Sequence, residues 1–157
     1  MEKNYFKGGY ARLKEGKMDY TFPCKVRWSM QELQNMSVFE AITGVMPIDC
    51  VLLFDQPIFL VPAGSREKAL GKYGINLYKL GKVLGNKPLI IEFHADPKKF
   101  ISKFIQEPAK VEVNGNIAVI SSNPHTKPKI IGSNGKKINL LRFLVKRYFQ
   151  ISTVKVI

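Results

Sequence analysis

The sequence predicts an α+β protein made of two consecutive copies of one small unit, each with the element order α-β-β-α-α-β. A similar phrase occurs over residues 68–74 and 129–135, and its first glycines lie 61 positions apart (132 minus 71). Apolar residues around each phrase follow helical and strand spacing in the same order. A repeat of this length indicates two copies of one domain. The expected boundaries are 1–25 for a basic and aromatic N-terminal extension, 26–95 for the first domain and 96–157 for the second.

The first copy is predicted to open with a helix. Ser29 and Glu32 have the spacing of a capping box, in which each side chain satisfies a backbone N–H of the other residue. Gly44 permits the left-handed conformation that closes a helix. The apolar residues at near-helical spacing between these ends are Leu33, Met36, Phe39 and Ile42.

The rest of the first copy contains short apolar runs separated by turn residues. Residues 49–54 and 57–61 predict two strands of a hairpin that turns at Asp55-Gln56. The remaining predicted elements are a short helix from Ser65, a glycine turn over 71–74, a helix over about 75–84 closed by Gly85, and a strand over 89–93.

The second copy repeats this order with clear local signals. Asp96 followed by Pro97 predicts a helix start, and the apolar face of that helix comprises Phe100, Ile101, Phe104 and Ile105. Glu107-Pro108 should end it. Alternating apolar residues around Asn114-Gly115 predict a hairpin with a type I′ turn, which needs two positive φ angles.

The second pair of helices is predicted to flank the second glycine turn. Thr126 is expected to cap a short helix with Pro128 in its first turn. The long helix after the turn should bury Ile138, Leu141, Leu144, Val145 and Tyr148, and residues 151–157 should close the sheet.

The charge of the chain points to a polyanionic partner. There are 25 Lys and Arg residues against 12 Asp and Glu residues, so the formal net charge is +13. Such a surface attracts nucleic acid or an anionic membrane. From Pro108 onward the only acidic residue is Glu112, and the bases are Lys110, Lys127, Lys129, Lys136, Lys137, Arg142, Lys146, Arg147 and Lys155. These lysines form either an anion-facing patch or an ordinary solvated helix face.

Several function classes find no support in the sequence. No apolar run approaches the roughly 18–20 residues of a membrane span, so we expect a cytoplasmic protein. Cys24 and Cys50 lack Cys-x-x-Cys spacing, which favours two buried thiols over a zinc site or disulfide framework. The second glycine turn, although followed by Lys136, lacks the spacing of a nucleotide-binding P-loop. We therefore expect no catalytic activity and no cofactor; His94 and His125 lie in different copies.

The two glycine turns carry a family resemblance. Gly71-Lys-Tyr-Gly74 and Gly132-Ser-Asn-Gly135, each between two helices, resemble the Gly-x-x-Gly loops of KH domains, and the element order resembles the type II, prokaryotic form. Residues 33–44, 69–77, 91–101 and 146–149 resemble archaeal NusA-like transcription factors, which are paired KH domains with little else. The resemblance extends from about residue 26 to 157. It implies two type II KH domains packed as one rigid unit.

The resemblance also implies a function. KH domains clamp about four nucleotides of single-stranded nucleic acid, so the expected ligand is single-stranded RNA, with RNA polymerase as a partner in transcription elongation or termination and no membrane partner. The implied RNA-binding residues are Lys68, Gly71, Lys72, Tyr73, Gly74, Lys129, Gly132, Ser133, Asn134, Gly135, Lys136 and Lys137. The alternative is a protein-interaction module that docks on RNA polymerase or a ribosomal particle with little RNA affinity of its own. Polybasic membrane association is a more distant alternative.

The residue types in the turns suit this chemistry. Glycine lets the backbone approach a sugar-phosphate chain closely, and the positive end of the next helix favours a phosphate. Ser133-Asn134 supplies no base, so Lys136 is expected to compensate. Tyr73 would either stack on a base or rest on the domain surface. The aromatic and basic residues before Val26 would either bind nucleic acid or cover the first domain.

Overall fold

The computed structural model describes residues 28–157 and the backbone of four short strands before them. The strands are β1 (Tyr5–Phe6), β2 (Arg12–Lys14), β3 (Lys17–Asp19), β4 (Val26–Arg27), β5 (Asp49–Leu53), β6 (Gln56–Val61), β7 (Leu89–Glu92), β8 (Lys110–Asn114), β9 (Ile117–Ser121) and β10 (Thr153–Val156). The α-helices are α1 (Met30–Thr43), α2 (Arg66–Leu70), α3 (Ile75–Leu84), α4 (Pro97–Ile105), α5 (Lys127–Ile131) and α6 (Lys136–Phe149). Single 3-10 turns lie at Lys72–Gly74 and Ser133–Gly135.

The chain divides into two compact units. Their main segments are Arg27–His94, called unit 1, and Ala95–Ile157, called unit 2. Each unit has the predicted α-β-β-α-α-β order, so the α+β fold class is confirmed. The basic and aromatic side chains expected in the N-terminal extension, and Cys24, lie outside the described residues.

In unit 1, three strands form a sheet that α1, α2 and α3 help to cover. The central strand, β6, pairs antiparallel with β5 and parallel with β7. The sheet and helices share a buried cluster that includes Phe39, Cys50, Phe59 and Leu80. The rings of Phe39 and Phe59 stack with their centroids 4.3 Å apart. This apolar core holds the helix pair that flanks the first glycine turn.

The ends of α1 follow the predicted local signals. The Ser29 hydroxyl accepts a hydrogen bond from the Glu32 N–H, and the Glu32 carboxylate accepts one from the Ser29 N–H. Gly44 has a φ of 71° and donates to the Glu40 carbonyl. Of the four predicted apolar positions only Phe39 is fully buried, because the inward face of α1 also carries Asn35 and Thr43.

Unit 2 repeats the sheet, with β9 between antiparallel β8 and parallel β10. Asp96 caps α4 by accepting from the Lys98 N–H, as predicted. All five residues predicted for the inward face of α6 are buried. Phe100 of α4 packs edge-on against Tyr148 and Phe149 of α6. Ile130 of α5 is also buried, so both helices that flank the second glycine turn are anchored in the core of unit 2.

Three local predictions were wrong. The first hairpin turns at Phe54-Asp55, both at positive φ, and Gln56 already belongs to β6. The second hairpin turns at Gly115-Asn116, where of the two only Gly115 has a positive φ, as in a type II′ turn. Thr126 occupies the cap position of α5, but its hydroxyl donates to the Asn123 carbonyl and caps nothing.

Among the described residues, the helices lack the length and apolar character needed to cross a membrane.

Candidate nucleic-acid interface

The two glycine turns follow the same backbone path. Their four positions are Gly71, Lys72, Tyr73 and Gly74 in unit 1 and Gly132, Ser133, Asn134 and Gly135 in unit 2. The first glycine has φ 73° and ψ 171° in unit 1, and φ 75° and ψ 173° in unit 2. The third residue has φ 56° and 54°, and the last glycine 72° and 71°. Two different sequences therefore adopt one loop conformation.

The first glycine of each turn has no substitute. Its combination of φ near +75° and ψ near 170° is accessible essentially to glycine alone. A Cβ on Gly71 would lie 2.8 Å from the Asn76 amide group, and one on Gly132 would lie 2.8 Å from the Lys137 Cβ. The last glycine differs, because a Cβ on Gly74 would meet no atom within 4 Å. Its outer side leaves room for the close approach of another molecule.

The third residue of each turn is a left-handed residue that is not glycine. Asparagine tolerates this conformation, whereas a bulky residue such as Tyr73 is an outlier there. The Tyr73 side chain is 96% exposed, with the Lys72 Nζ 5.4 Å from its ring centroid. The ring therefore does not rest on the surface of unit 1, which removes one of the two alternatives left open by the sequence.

Each turn leads directly into an amphipathic helix. The N–H of Ile75, the first residue of α3, donates to the Lys72 carbonyl, and the N–H of Lys136, the first residue of α6, donates to the Ser133 carbonyl. The positive ends of both helix dipoles therefore lie at the turns, where they favour a phosphate. In unit 1 the Asn76 amide also donates to the Lys68 carbonyl and links the two helices across the loop.

The lysines around the first turn have no acidic residues beside them in the sequence after Glu67. Between Glu67 and Glu92 the chain contains five lysines and neither Asp nor Glu. Lys68 and Lys72 are exposed, and within residues 28–157 neither forms a salt bridge. Their charges are available to an anion.

The lysines around the second turn have more varied surroundings. Lys129 Nζ lies 3.9 Å from a Glu107 carboxylate oxygen. Lys137 Nζ donates to the Ile105 carbonyl at 2.7 Å, which places its ammonium at the C-terminal end of α4. Lys136 is exposed at the start of α6. Lys136 is thus better placed than Lys137 to compensate for the uncharged Ser133-Asn134 pair.

The structure gathers the twelve predicted residues at two loops, one in each unit. Eleven lie at the turns or on the helix ends beside them, whereas the Lys137 ammonium is engaged elsewhere. Their contacts with RNA stay a prediction.

Sequence reasoning did not single out two exposed aromatic residues of unit 1, Tyr78 on α3 and Phe54 in the first hairpin turn. Comparison across the 61-residue offset could have found both, because their counterparts are Asn139 and Gly115.

A cleft in unit 2 has a different character. It lies between the start of α4 and β8 and is lined by Asp96, Pro97, Lys98, Glu112, Val113 and Asn114. Lys110 donates to the Glu112 carboxylate at 2.6 Å, and this hydrogen bond and charge hold the pKa of Glu112 below its usual value. Two carboxylates in one small cleft disfavour a phosphate ligand there.

Two titratable side chains of unit 1 contact other parts of the fold. Asp49 is buried and accepts from the Trp28 indole N–H at 2.7 Å. His94 Nε2 lies 3.8 Å from a Glu92 oxygen that also accepts from the Gly64 N–H. Within residues 28–157, no group of three or more His, Cys, Asp and Glu side chains could hold a metal ion.

Curated proteins from archaea match most of the chain. A protein of Methanocaldococcus jannaschii named "Probable transcription termination protein NusA" is 32% identical over 139 residues, which covers 85% of this chain and 76% of that protein. Proteins with the same name from Methanococcus vannielii and Halobacterium salinarum are 27% and 26% identical, and the matches cover 80% and 97% of their lengths.

A solved structure has the same fold. The structure described as "Crystal structure of APE1850" aligns with a TM-score of 0.73 and 25% sequence identity, and the alignment covers 83% of this chain and all of that one. A scan against protein-family models found no match.

Proposed function

This chain belongs to the archaeal NusA-like protein family, and from that premise we propose that it binds single-stranded RNA through two type II KH domains. The bound RNA is nascent transcript, and the protein acts beside RNA polymerase in transcription elongation or termination. The domain limits of 26–95 and 96–157, the rigid pairing of the domains and a cytoplasmic location belong to the same proposal.

One observation carries the RNA-binding proposal. Both units hold a Gly-x-x-Gly turn in the same backbone conformation between two helices, although the middle residues are Lys72-Tyr73 in one and Ser133-Asn134 in the other. A strained conformation that survives such a change of sequence is typical of a functional site. With Gly74 open to close approach, a helix start after each turn and exposed lysines, it supports a clamp on a sugar-phosphate backbone.

The test is the affinity for short single-stranded RNAs over a salt series. The variants are Lys72→Asp/Tyr73→Asp for the first loop and Ser133→Asp/Asn134→Asp for the second. Aspartate tolerates the left-handed third position better than tyrosine does and about as well as asparagine, so both variants should fold. Each active loop should lose affinity when changed, and the slope of log K against log salt should shrink by about 0.7 for each lost phosphate contact.

A charge-matched control is available in unit 2. Lys103 is exposed on α4, and Lys103→Asp lowers the net charge by two units, as Ser133→Asp/Asn134→Asp does. If the control weakens binding as much as the loop variant, the effect is one of net charge and the clamp is refuted. If both folded loop variants bind RNA like the wild type, the loops are architectural. Weak RNA binding by the wild type together with stable capture of RNA polymerase would favour the protein-docking alternative.

A further inference from the structure

The exposed face of α3 extends away from the first glycine turn. Its outward residues follow the i, i+3, i+4, i+7, i+8 spacing of one helix face. They are Ile75, Tyr78, Lys79, Lys82 and Val83. Tyr78 is 60% exposed, although the Lys82 Nζ lies 4.7 Å from its ring centroid. This face combines apolar and basic side chains, and it begins at Ile75, whose backbone N–H donates to the glycine turn.

Further exposed aromatic residues lie near both ends of α3. Tyr73 comes two residues before its first residue, in the glycine turn. At the other end, the Asn86 side chain donates to the Asp55 carbonyl at 3.0 Å, which ties the turn after α3 to the first hairpin turn. Phe54, in that hairpin turn, is fully exposed. A ten-residue helix is about 15 Å long, so the three aromatic residues are distributed over the length of α3.

The charge along α3 has one sign. The lysines that accompany the aromatic residues are Lys72, Lys79, Lys82 and Lys87. The nearest acidic residues in the sequence on either side are Asp55, in the hairpin turn, and Glu67 and Glu92. Along α3, aromatic rings and lysines without interleaved carboxylates match a ligand with flat rings and negative charge, whereas the exposed Asp55 adjoins Phe54 in the hairpin turn.

The second copy lacks this pattern. Across the 61-residue offset, the counterparts of Phe54, Tyr73 and Tyr78 are Gly115, Asn134 and Asn139. Lys79 and Lys82 become Leu140 and Phe143. The aromatic side chains are therefore not needed to build the shared fold, because the same elements form without them in unit 2.

We propose that Phe54, Tyr73 and Tyr78, here called the aromatic track, stack on unpaired bases and extend the RNA-binding surface of unit 1 beyond its glycine turn. This inference rests on the proposed RNA-binding function. The lysines along α3 neutralise the phosphates that accompany those bases. Unit 1 thereby reads bases and backbone together, whereas the loop of unit 2 offers small polar side chains to the backbone.

The test uses Tyr78→Asn, which installs the residue found in the second copy and leaves the net charge unchanged. The probes are a 12-nucleotide oligoadenylate and an abasic sugar-phosphate chain of the same length. The variant should bind the oligoadenylate about 5-fold or more weakly, the effect of one lost base stack of about 1 kcal/mol or more. Its salt slope should match that of the wild type, and its affinity for the abasic chain should not change.

The matched control is Met46→Asn, which also replaces an exposed apolar residue of unit 1 but lies in the loop between α1 and β5. It should bind both probes like the wild type. If Tyr78→Asn binds oligoadenylate like the wild type while a glycine-turn variant loses affinity, the aromatic track is refuted and the proposed function stands. If Tyr78→Asn instead loses only a protein partner, the surface is a protein interface and the inference is also refuted. If the wild type binds neither probe, the proposed function fails, and the inference fails with it.

Discussion

Phe54 violates two local preferences at one residue. Its φ of 50° lies in the left-handed region, which is unfavourable for a bulky side chain, and its apolar ring is fully exposed to water. The equivalent position of the second hairpin is Gly115, which adopts a φ of 59° without strain. Sequence reasoning placed Phe54 in a strand because it ends the apolar run over residues 49–54. Neither burial nor backbone preference explains this residue.

Replacing Phe54 with asparagine should stabilise unit 1. Asparagine tolerates the left-handed region, and relief of the backbone strain should raise the free energy of unfolding by about 1 kcal/mol. The measurement is urea unfolding followed by fluorescence of Trp28, the only tryptophan of the chain. A less stable variant would show that the ring makes a stabilising contact and that the strain argument is wrong.

At the scale of the element, the two glycine turns share dihedral angles but differ in their neighbours. The Cβ of an alanine at position 71 would meet only side-chain atoms, the Asn76 amide and the Ile75 Cγ2, whereas at position 132 it would also lie 3.1 Å from the backbone nitrogen of Lys137. Backbone atoms inside a helix start cannot move aside easily. The second turn is therefore less tolerant of substitution than the first.

Two alanine variants in the second turn separate steric clash from backbone strain. Gly132→Ala places a Cβ in a conformation accessible only to glycine and also creates a steric clash. It should lower the free energy of unfolding by about 3 kcal/mol. In Gly135→Ala the only strain comes from the positive φ, because the atom nearest to the new Cβ would lie 3.5 Å away. This variant should lower the free energy of unfolding by about 1 kcal/mol. Urea unfolding followed by far-ultraviolet circular dichroism measures both. Equal costs would contradict the assignment of the clash to Lys137.

The elements that sequence reasoning predicted well are those defined by short-range chemistry. The capping box at Ser29, the Asp96 cap and the buried face of α6 depend on residues within a few turns of one another, and all three are present. The hairpin registers depend on how β6 and β9 pair with both neighbours, which the local sequence does not reveal. Each turn was displaced by one residue for this reason. At the site, the turns were predictable from their glycines, whereas the exposure of Tyr78 depends on which face of α3 meets α1.

At the scale of the whole molecule, the net charge of +13 attracts polyanions and also lowers the free energy of unfolding. Like charges on a compact chain repel one another, and salt screens this repulsion over a distance of about 10 Å at 0.1 M. Added salt also weakens binding to RNA, because the release of condensed counterions into a more concentrated salt solution gains less entropy. Stability and affinity should therefore respond to salt in opposite directions.

Raising monovalent salt from about 50 to 300 mM should increase the midpoint of thermal unfolding while lowering the affinity for single-stranded RNA. Thermal unfolding followed by Trp28 fluorescence and a parallel binding titration measure the two effects. In the presence of RNA, the unfolding midpoint should rise at low salt, because a ligand that binds the folded state stabilises it. A midpoint that falls as salt is added in the absence of RNA would show that favourable ion pairs outweigh the net repulsion.

The matching dihedral angles of the two glycine turns have a consequence for how this protein can diversify. The two outer glycines set the loop conformation. The third position exposes its side chain to solvent from the same backbone conformation in both turns, whether that side chain is the phenol of Tyr73 or the carboxamide of Asn134. The side chain at the third position can therefore change while the loop conformation stays the same. One mutation there can give a descendant a new chemical preference while the scaffold that carries it keeps its shape.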